Sequence, residues 1–209
     1  MALGKAMNEE YPLSPEVRYR IIEKRTPLLP KFVAEKGLSP LKSVGCKPLP
    51  WCEPKRCFVN VDEQVKRAGG KMETGWIFGE FEERMIESEA HAVWMDWSGR
   101  RHDITPHRFQ PERVLFSPDP RVANVRGYTA PYKLMLTKDP KIRAIEDFDS
   151  RIDAVVAAKF GGFGVETVVT NEEVRLAAEQ SGLPLEVATR MVLDRNAHDR
   201  RIAQRYAGR

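Results

Sequence analysis

Cys57, His91 and Asp103 occur in an order that could assemble a thiol nucleophile, its general base and the group that orients that base. They sit in the stretches Arg56-Cys57-Phe58-Val59-Asn60, His91-Ala92-Val93-Trp94 and Asp103-Ile104-Thr105-Pro106. A free thiol is mostly protonated near neutral pH, an imidazole can take its proton, and a carboxylate fixes the tautomer and steadies the imidazolium. Each residue also has a plain structural role available: a small buried Cys, a satisfied strand His, a turn Asp. The elements that carry them decide between the two.

Cys57 is expected to open a helix. Val61 and Val65 recur at i and i+4, and Gly69-Gly70 supplies a stop. A thiol at a helix N-terminus faces unpaired N–H groups and the positive end of the macrodipole, both favouring thiolate, and Lys55 and Arg56 add charge beside it. Downstream, Gly75-Trp76-Ile77-Phe78 is a short apolar run, Met85-Ile86 a weaker one, and Ala90 to Met95 reads as a strand. Asp96-Trp97-Ser98-Gly99 has turn composition, and Arg101 to Thr105 returns as a second arm closed by Pro106. His and Asp on adjoining arms of such a hairpin can meet across the ladder.

These residues resemble the papain-like superfamily, particularly its transglutaminase-like branch that includes the arylamine N-acetyltransferases. Cys57-Phe58-Val59-Asn60 is similar to the acetyltransferases' Cys-aromatic-x-Asn segment, and His91-Ala92-Val93-Trp94 with Asp103-Ile104-Thr105-Pro106 to the transglutaminase-like His and Asp strands. The resemblance spans roughly Cys46 to Asp119. It implies an α+β papain/transglutaminase-like core, with a helix-borne Cys packed on an antiparallel sheet, and assigns nucleophile, base and orienter to Cys57, His91 and Asp103. Pro54-Lys55-Arg56 stands where the acetyltransferases carry Arg-Gly-Gly, so their acetyl-coenzyme A site is not carried over.

Zinc is the chemical rival, since Cys46, Cys52, Cys57, His91, His102 and His107 offer its preferred ligands. The cysteines lack the short Cys-x2-Cys clasp, and Pro48, Pro50 and Pro54 extend the segment between them, so no metal and no cofactor is expected. Three cysteines is an odd number, no signal-peptide pattern opens the chain, and no apolar run reaches membrane-spanning length. A cytoplasmic protein with reduced thiols and no membrane partner is expected. With 209 residues, 42% of them hydrophobic, the chain can bury a core, and a net charge of +4 permits nucleic-acid contact without requiring it.

Residues 1–45 read as a Pro-punctuated extension, with helical character only from Pro15 to Lys24, and 46–120 as the catalytic core. Residues 121–209 read as a mainly helical module. Its first helix runs from Ile145 to Phe160 and is broken by Gly161-Gly162-Phe163-Gly164. Thr170 with Glu173 makes a capping box, and Ala178, Gly182-Leu183, Ala188 and Met191 are similar to helix-turn-helix spacing over 171–206. That resemblance implies Leu185, Glu186, Thr189 and Arg190 facing bases and Arg195, Arg200, Arg201 and Arg205 facing phosphates. His198 reads as a core-edge histidine. Of the tryptophans around the hairpin, Trp97 is the better surface candidate.

The favoured function is cysteine-dependent acyl transfer at an amide, ester or thioester, as hydrolase, deamidase or acyltransferase, on a peptide, protein or small acyl substrate. The alternative is a non-enzymatic protein that binds DNA or a protein partner through the C-terminal helices, or a zinc-stabilised binding module.

Overall fold

The computed structural model describes residues 19–81, 84–107, 110–122, 129–159 and 168–207, the last eleven of these as helical backbone alone. In chain order the elements are β1 (Tyr19–Ile21), α1 (Leu28–Glu35), β2 (Lys42–Cys46), α2 (Cys57–Ala68), β3 (Lys71–Phe81), β4 (Met85–Met95), β5 (Arg101–Asp103), β6 (Arg113–Pro118), β7 (Lys133–Met135), α3 (Pro140–Lys159), α4 (Asn171–Ser181) and α5 (Leu185–Ala207). The chain divides into a sheet unit, Arg18–Leu136, and a helical unit that includes Thr137–Arg209. The class is α+β.

The two apolar runs read as separate pieces, Met85-Ile86 and Ala90 to Met95, form one strand, because β3 and β4 pair along their whole length from Lys71↔Met95 to Phe81↔Met85. The sheet order is β1-β3-β6-β2-β5-β4-β7, and the β3–β4 pairing closes β3, β6, β2, β5 and β4 into a ring. Val44, Ile77, Val93, Val114 and Phe116 form one buried cluster drawn from four of its strands. Trp76 and Phe78 alternate with Ile77 and pack with Leu29, Phe32 and Val33 of α1. The run Trp76-Ile77-Phe78 is unbroken in the sequence because both faces of β3 are covered. Gly75 permits the closure: a Cβ there would lie 2.1 Å from the Ser117 carbonyl oxygen on β6.

Three expectations are corrected. The sheet is mixed rather than antiparallel, because β2 runs parallel to β5 with Gly45↔His102 and Cys46↔Asp103. Tyr19–Ile21 is a strand, not part of a helix from Pro15 to Lys24; it pairs with Phe81, Glu80 and Gly79. Residues 1–18 lie outside the described residues. Residues 19–46 therefore do not form an extension beside a core that begins at Cys46: they supply β1, α1 and β2 to the sheet unit.

α2 packs Cys57 and Val61 against Ala92 of β4 and Ile104 after β5. Its far end is held by two tryptophans of the hairpin: Trp94 Nε1 donates to the Gly69 carbonyl at 2.9 Å and Trp97 Nε1 to that of Ala68 at 3.2 Å. These are carbonyls of the last helical turn, which have no partner within the helix. Trp97 is 82% exposed and Trp76 is buried.

In the helical unit, Phe148 and Ile152 of α3 meet Val174, Ala177 and Ala178 of α4 and Leu183, Val187, Ala188 and Val192. α3 begins earlier than expected, at Pro140, where Asp139 Oδ1 accepts the Lys141 N–H and proline suits the first helical turn. The expected Gly161 to Gly164 break lies outside the described residues. The Thr170–Glu173 capping box is present, and Gly182 ends α4 in the left-handed conformation at φ 70°.

Candidate active site

The chain enters α2 through Lys55, a non-glycine residue at φ 62°. Such a conformation costs a side-chain-bearing residue on the order of 1–3 kcal/mol and persists where surrounding structure imposes it. Arg56 follows as the N-cap without a side-chain cap hydrogen bond. The first-turn N–H groups beside Cys57 thus have no N-cap side chain on them, and at a helix N-terminus they carry partial positive charge.

His91 and Asp103 are brought together by register. β4 and β5 pair Trp94↔His102 and Met95↔Arg101. Continued by one residue, that register sets Asp103 opposite Val93, with His91 its diagonal neighbour, within reach of a long side chain. His91 Nε2 lies 3.1 Å from Asp103 Oδ1, and both side chains are almost wholly buried. The approach is close but poorly aligned for a hydrogen bond, so it is best described as an ion-pair contact. With Nε2 turned to Asp103, Nδ1 is the nitrogen left for a thiol. Cys57 is buried, near enough to act on the His91 charge, with Sγ 4.0 Å from the Ala90 carbonyl oxygen. The three residues singled out from sequence thus gather in one place.

Burial by itself would lower the His91 pKa, but the charges of Asp103 and Cys57 outweigh it and lift the imidazole well above its ordinary value. Burial would likewise raise Asp103. The His91 charge and the hydrogen bond from His107 overcome it and hold the carboxyl well below the usual carboxylate range. The other two thiols are disfavoured as anions. Burial and the Asp103 charge push Cys46 up to about 12, and burial raises Cys52 as well. All three cysteines are free.

Sequence reading placed His107 only among zinc ligands and gave Asn60 no role. His107 Nε2 lies 2.6 Å from Asp103 Oδ2, so the carboxylate stands between two imidazoles whose ring centroids are 5.5 Å apart. Asn60, one turn along α2 from Cys57 and buried, accepts the Glu53 N–H at 3.1 Å and donates to the Glu53 carbonyl at 2.8 Å and to Thr105 Oγ1 at 3.1 Å. The Thr105 N–H in turn donates to Asp103 Oδ1 at 3.2 Å. This chain of bonds ties the loop before Cys57, the helix that Cys57 opens and the carboxylate into one unit. The Asp103-to-His107 spacing across Pro106 was the available signal for His107, and the Asn of the Cys-aromatic-x-Asn segment was the signal for Asn60.

The six zinc candidates do not converge. Cys46 and His107 come within 4.8 Å of each other together with Asp103, while Cys52, Cys57, His91 and His102 fall outside that group. His102 is held by Asp96 at 2.9 Å and lies against Trp94.

On α5, Leu185, Glu186, Thr189 and Arg190 are exposed. Thr189 Oγ1 donates to the Leu185 carbonyl, and Arg190 reaches Asp194 at 4.0 Å. Arg195, expected at phosphates, is instead paired with Asp153 at 2.8 Å and Asp149 at 3.5 Å on α3, because Asp153 is buried and needs a cation. The side chains of His198, Arg200, Arg201 and Arg205 lie outside the described residues. No helix among the described residues is long and apolar enough to cross a membrane. No family model, curated protein or solved structure matches the chain.

Proposed function

We propose that the chain is a cysteine-dependent acyl-transfer enzyme with a papain-like arrangement, acting on an amide, ester or thioester through Cys57, His91 and Asp103. The observation that carries this reading is the meeting of a thiol at an uncapped helix N-terminus with a buried, Asp-paired histidine, supplied by three separate elements. Cys57 Sγ, its proton already held by His91 in a thiolate–imidazolium pair, attacks the carbonyl carbon. The first-turn N–H groups of α2 stabilise the oxyanion. As the tetrahedral adduct collapses, the bond to the leaving group breaks, His91 returns the proton to that group, and a thioester remains on Cys57. Water or an amine then attacks the thioester, with His91 as base, and releases the acyl group. Asp103 holds the His91 ring and balances its positive charge throughout. Three free cysteines fit a reducing compartment such as the cytoplasm.

An activated ester tests this. One equivalent of leaving group should appear in a burst, with the acyl group mapped to Cys57. The burst should disappear in Cys57→Ala and His91→Ala and persist in Cys46→Ser and Cys52→Ser. Acylation mapped to Cys46 or Cys52, or no acylation at all, overturns the assignment.

For the helical unit, the exposure of Leu185, Glu186, Thr189 and Arg190 on α5 supports a second role, docking DNA or a protein partner. Salt-dependent DNA binding that is lost in Arg190→Ala identifies DNA; its absence leaves the protein partner.

A further inference from the structure

Asp103 has two oxygens, and the proposed triad uses one. Oδ1 faces His91, while Oδ2 lies 2.6 Å from His107 Nε2 and 3.9 Å from Cys46 Sγ. We infer that Cys46 Sγ, Asp103 Oδ2 and His107 Nε2 form a binding site for a zinc-class divalent cation behind the triad, one that shares Asp103 with the triad and leaves Cys57 and His91 free.

The donor set decides the class of ion. Thiolate, imidazole and carboxylate together suit zinc, with water as the fourth ligand, whereas magnesium and calcium take oxygen ligands almost alone. The spacing is close to what the ion needs. Tetrahedral zinc separates its ligand atoms by about 3.4–3.6 Å, and here all three lie within 4.8 Å of one another. Binding requires the His107–Asp103 contact to open and the Cys46–Asp103 contact to shorten, both by less than about 1 Å, and Cys46 and His107, which lie within 4.8 Å of each other, to draw together by about 1 Å on that geometry. At present the carboxylate oxygen accepts hydrogen bonds from both partners, and the ion takes the place of those two protons.

The backbone holds the three donors in register. Cys46 and Asp103 are direct partners in the parallel β2–β5 pair, which the Lys47 N–H extends by donating to the Asp103 carbonyl at 2.7 Å. His107 follows across Pro106, and the Gln110 N–H donates to its carbonyl at 3.2 Å. Donors on rigid elements keep a site formed before its ion arrives. Asp103 and His91 are fully buried, but Cys46 and the His107 side chain are partly exposed, which gives the ion a path from solvent. A cation on Oδ2 draws charge from the carboxylate that steadies His91, so occupancy should slow acylation of Cys57.

The test reads zinc affinity, not turnover, so it stands whether or not Cys57 proves to be a nucleophile. Full-length protein competes with a chromogenic chelator for Zn2+, with Mg2+ in a parallel titration. One Zn2+ per chain is expected, weakened at least 100-fold in Cys46→Ser and in His107→Gln, changed less than threefold in Cys57→Ala and Cys52→Ser, and not displaced by Mg2+. His107→Cys should keep the site, which guards against a variant that merely unfolds. Co2+ in the wild-type chain should show a thiolate charge-transfer band and tetrahedral visible bands. Absence of stoichiometric zinc, retention of zinc in both Cys46→Ser and His107→Gln, loss in Cys57→Ala, or a Co2+ spectrum without the thiolate band overturns the assignment.

Discussion

The sheet unit and the helical unit bury polar groups for different reasons. In the helical unit the buried cluster is aliphatic and aromatic, and its polar groups serve caps and surface pairs such as Arg175 with Glu172 and Glu179; the described exception is Asp153, which Arg195 neutralises. In the sheet unit His91, Asp103, Thr105 and Asn60 are all buried and lie on one chain of contacts. A buried polar network costs desolvation at every member, and an apolar core of the same shape is often as stable or more so. Stability alone does not call for such a cluster beside a helix-borne cysteine. The cluster is where chemistry is to be sought, and the helical unit is where packing rules suffice.

Under the proposed mechanism, Asp103→Asn gives the largest effect short of deleting Cys57 or His91. The acylation rate should fall by about 10²–10⁴, since an amide can hold the ring but cannot balance its charge. The same variant carries a pH signature. The folded Asp103 pKa lies below the unfolded value of about 3.9, so its contribution is complete above that pH and is lost as pH falls through the folded value. The folded His91 pKa lies above the unfolded value of about 6.5, so its contribution is complete below that pH and is lost as pH rises through the folded value. Urea unfolding should therefore show the wild type most stabilised over Asp103→Asn between about pH 4 and 6.5, with the gap narrowing on both sides. A gap that does not vary between pH 3 and 9 would show that the His91–Asp103 charges do not couple to folding.

Asn60→Ala should come next, at about 1–3 kcal/mol, because it removes three hydrogen bonds and leaves the buried Thr105 hydroxyl and the Glu53 backbone groups short of partners. It also loosens the loop that presents Cys57, so acylation should slow more than the stability loss explains under conditions where the chain is fully folded. Asn60→Asp, which keeps the acceptor but sets a buried carboxylate against the Glu53 carbonyl, should cost at least as much. Equal acylation rates in all three proteins would reduce Asn60 to a packing residue.

What the sequence could reveal followed the range of each interaction. The helix opening at Cys57, the turn at Asp96 to Gly99 and the capping box at Thr170 are local, and each was legible from a few neighbouring residues. The meeting of His91 with Asp103 was legible because a tight hairpin makes cross-strand neighbours of residues close in sequence. The parallel β2–β5 pair was not, because residues 47 to 100 intervene between its strands and nothing in Lys42–Cys46 specifies which edge it joins. β1 was hidden for a related reason: three residues carry too little pattern to distinguish a strand from a helical turn. His107 was seen as a ligand type but not as a partner, since its role depends on how the chain folds back after Pro106.

The smallest effect belongs to the helical unit and sharpens the contrast from the other side. Thr170→Ala removes the cap that accepts the Glu173 N–H at 3.3 Å, along with the hydroxyl that reaches Glu173 Oε2 at 2.9 Å, and should cost about 1 kcal/mol. Glu173 is held low, at about 2, chiefly by Lys159 and by the Thr170 backbone and hydroxyl. The Lys159 contact and the backbone bond survive the substitution, so the box is weakened rather than dissolved. Hydrogen exchange should quicken at the start of α4, while exchange in β3 and β4 and the rate of Cys57 acylation stay as in the wild type. If acylation slowed in step with α4 fraying, the helical unit would be part of the catalytic apparatus, and the division between packing and chemistry would not follow the division between units.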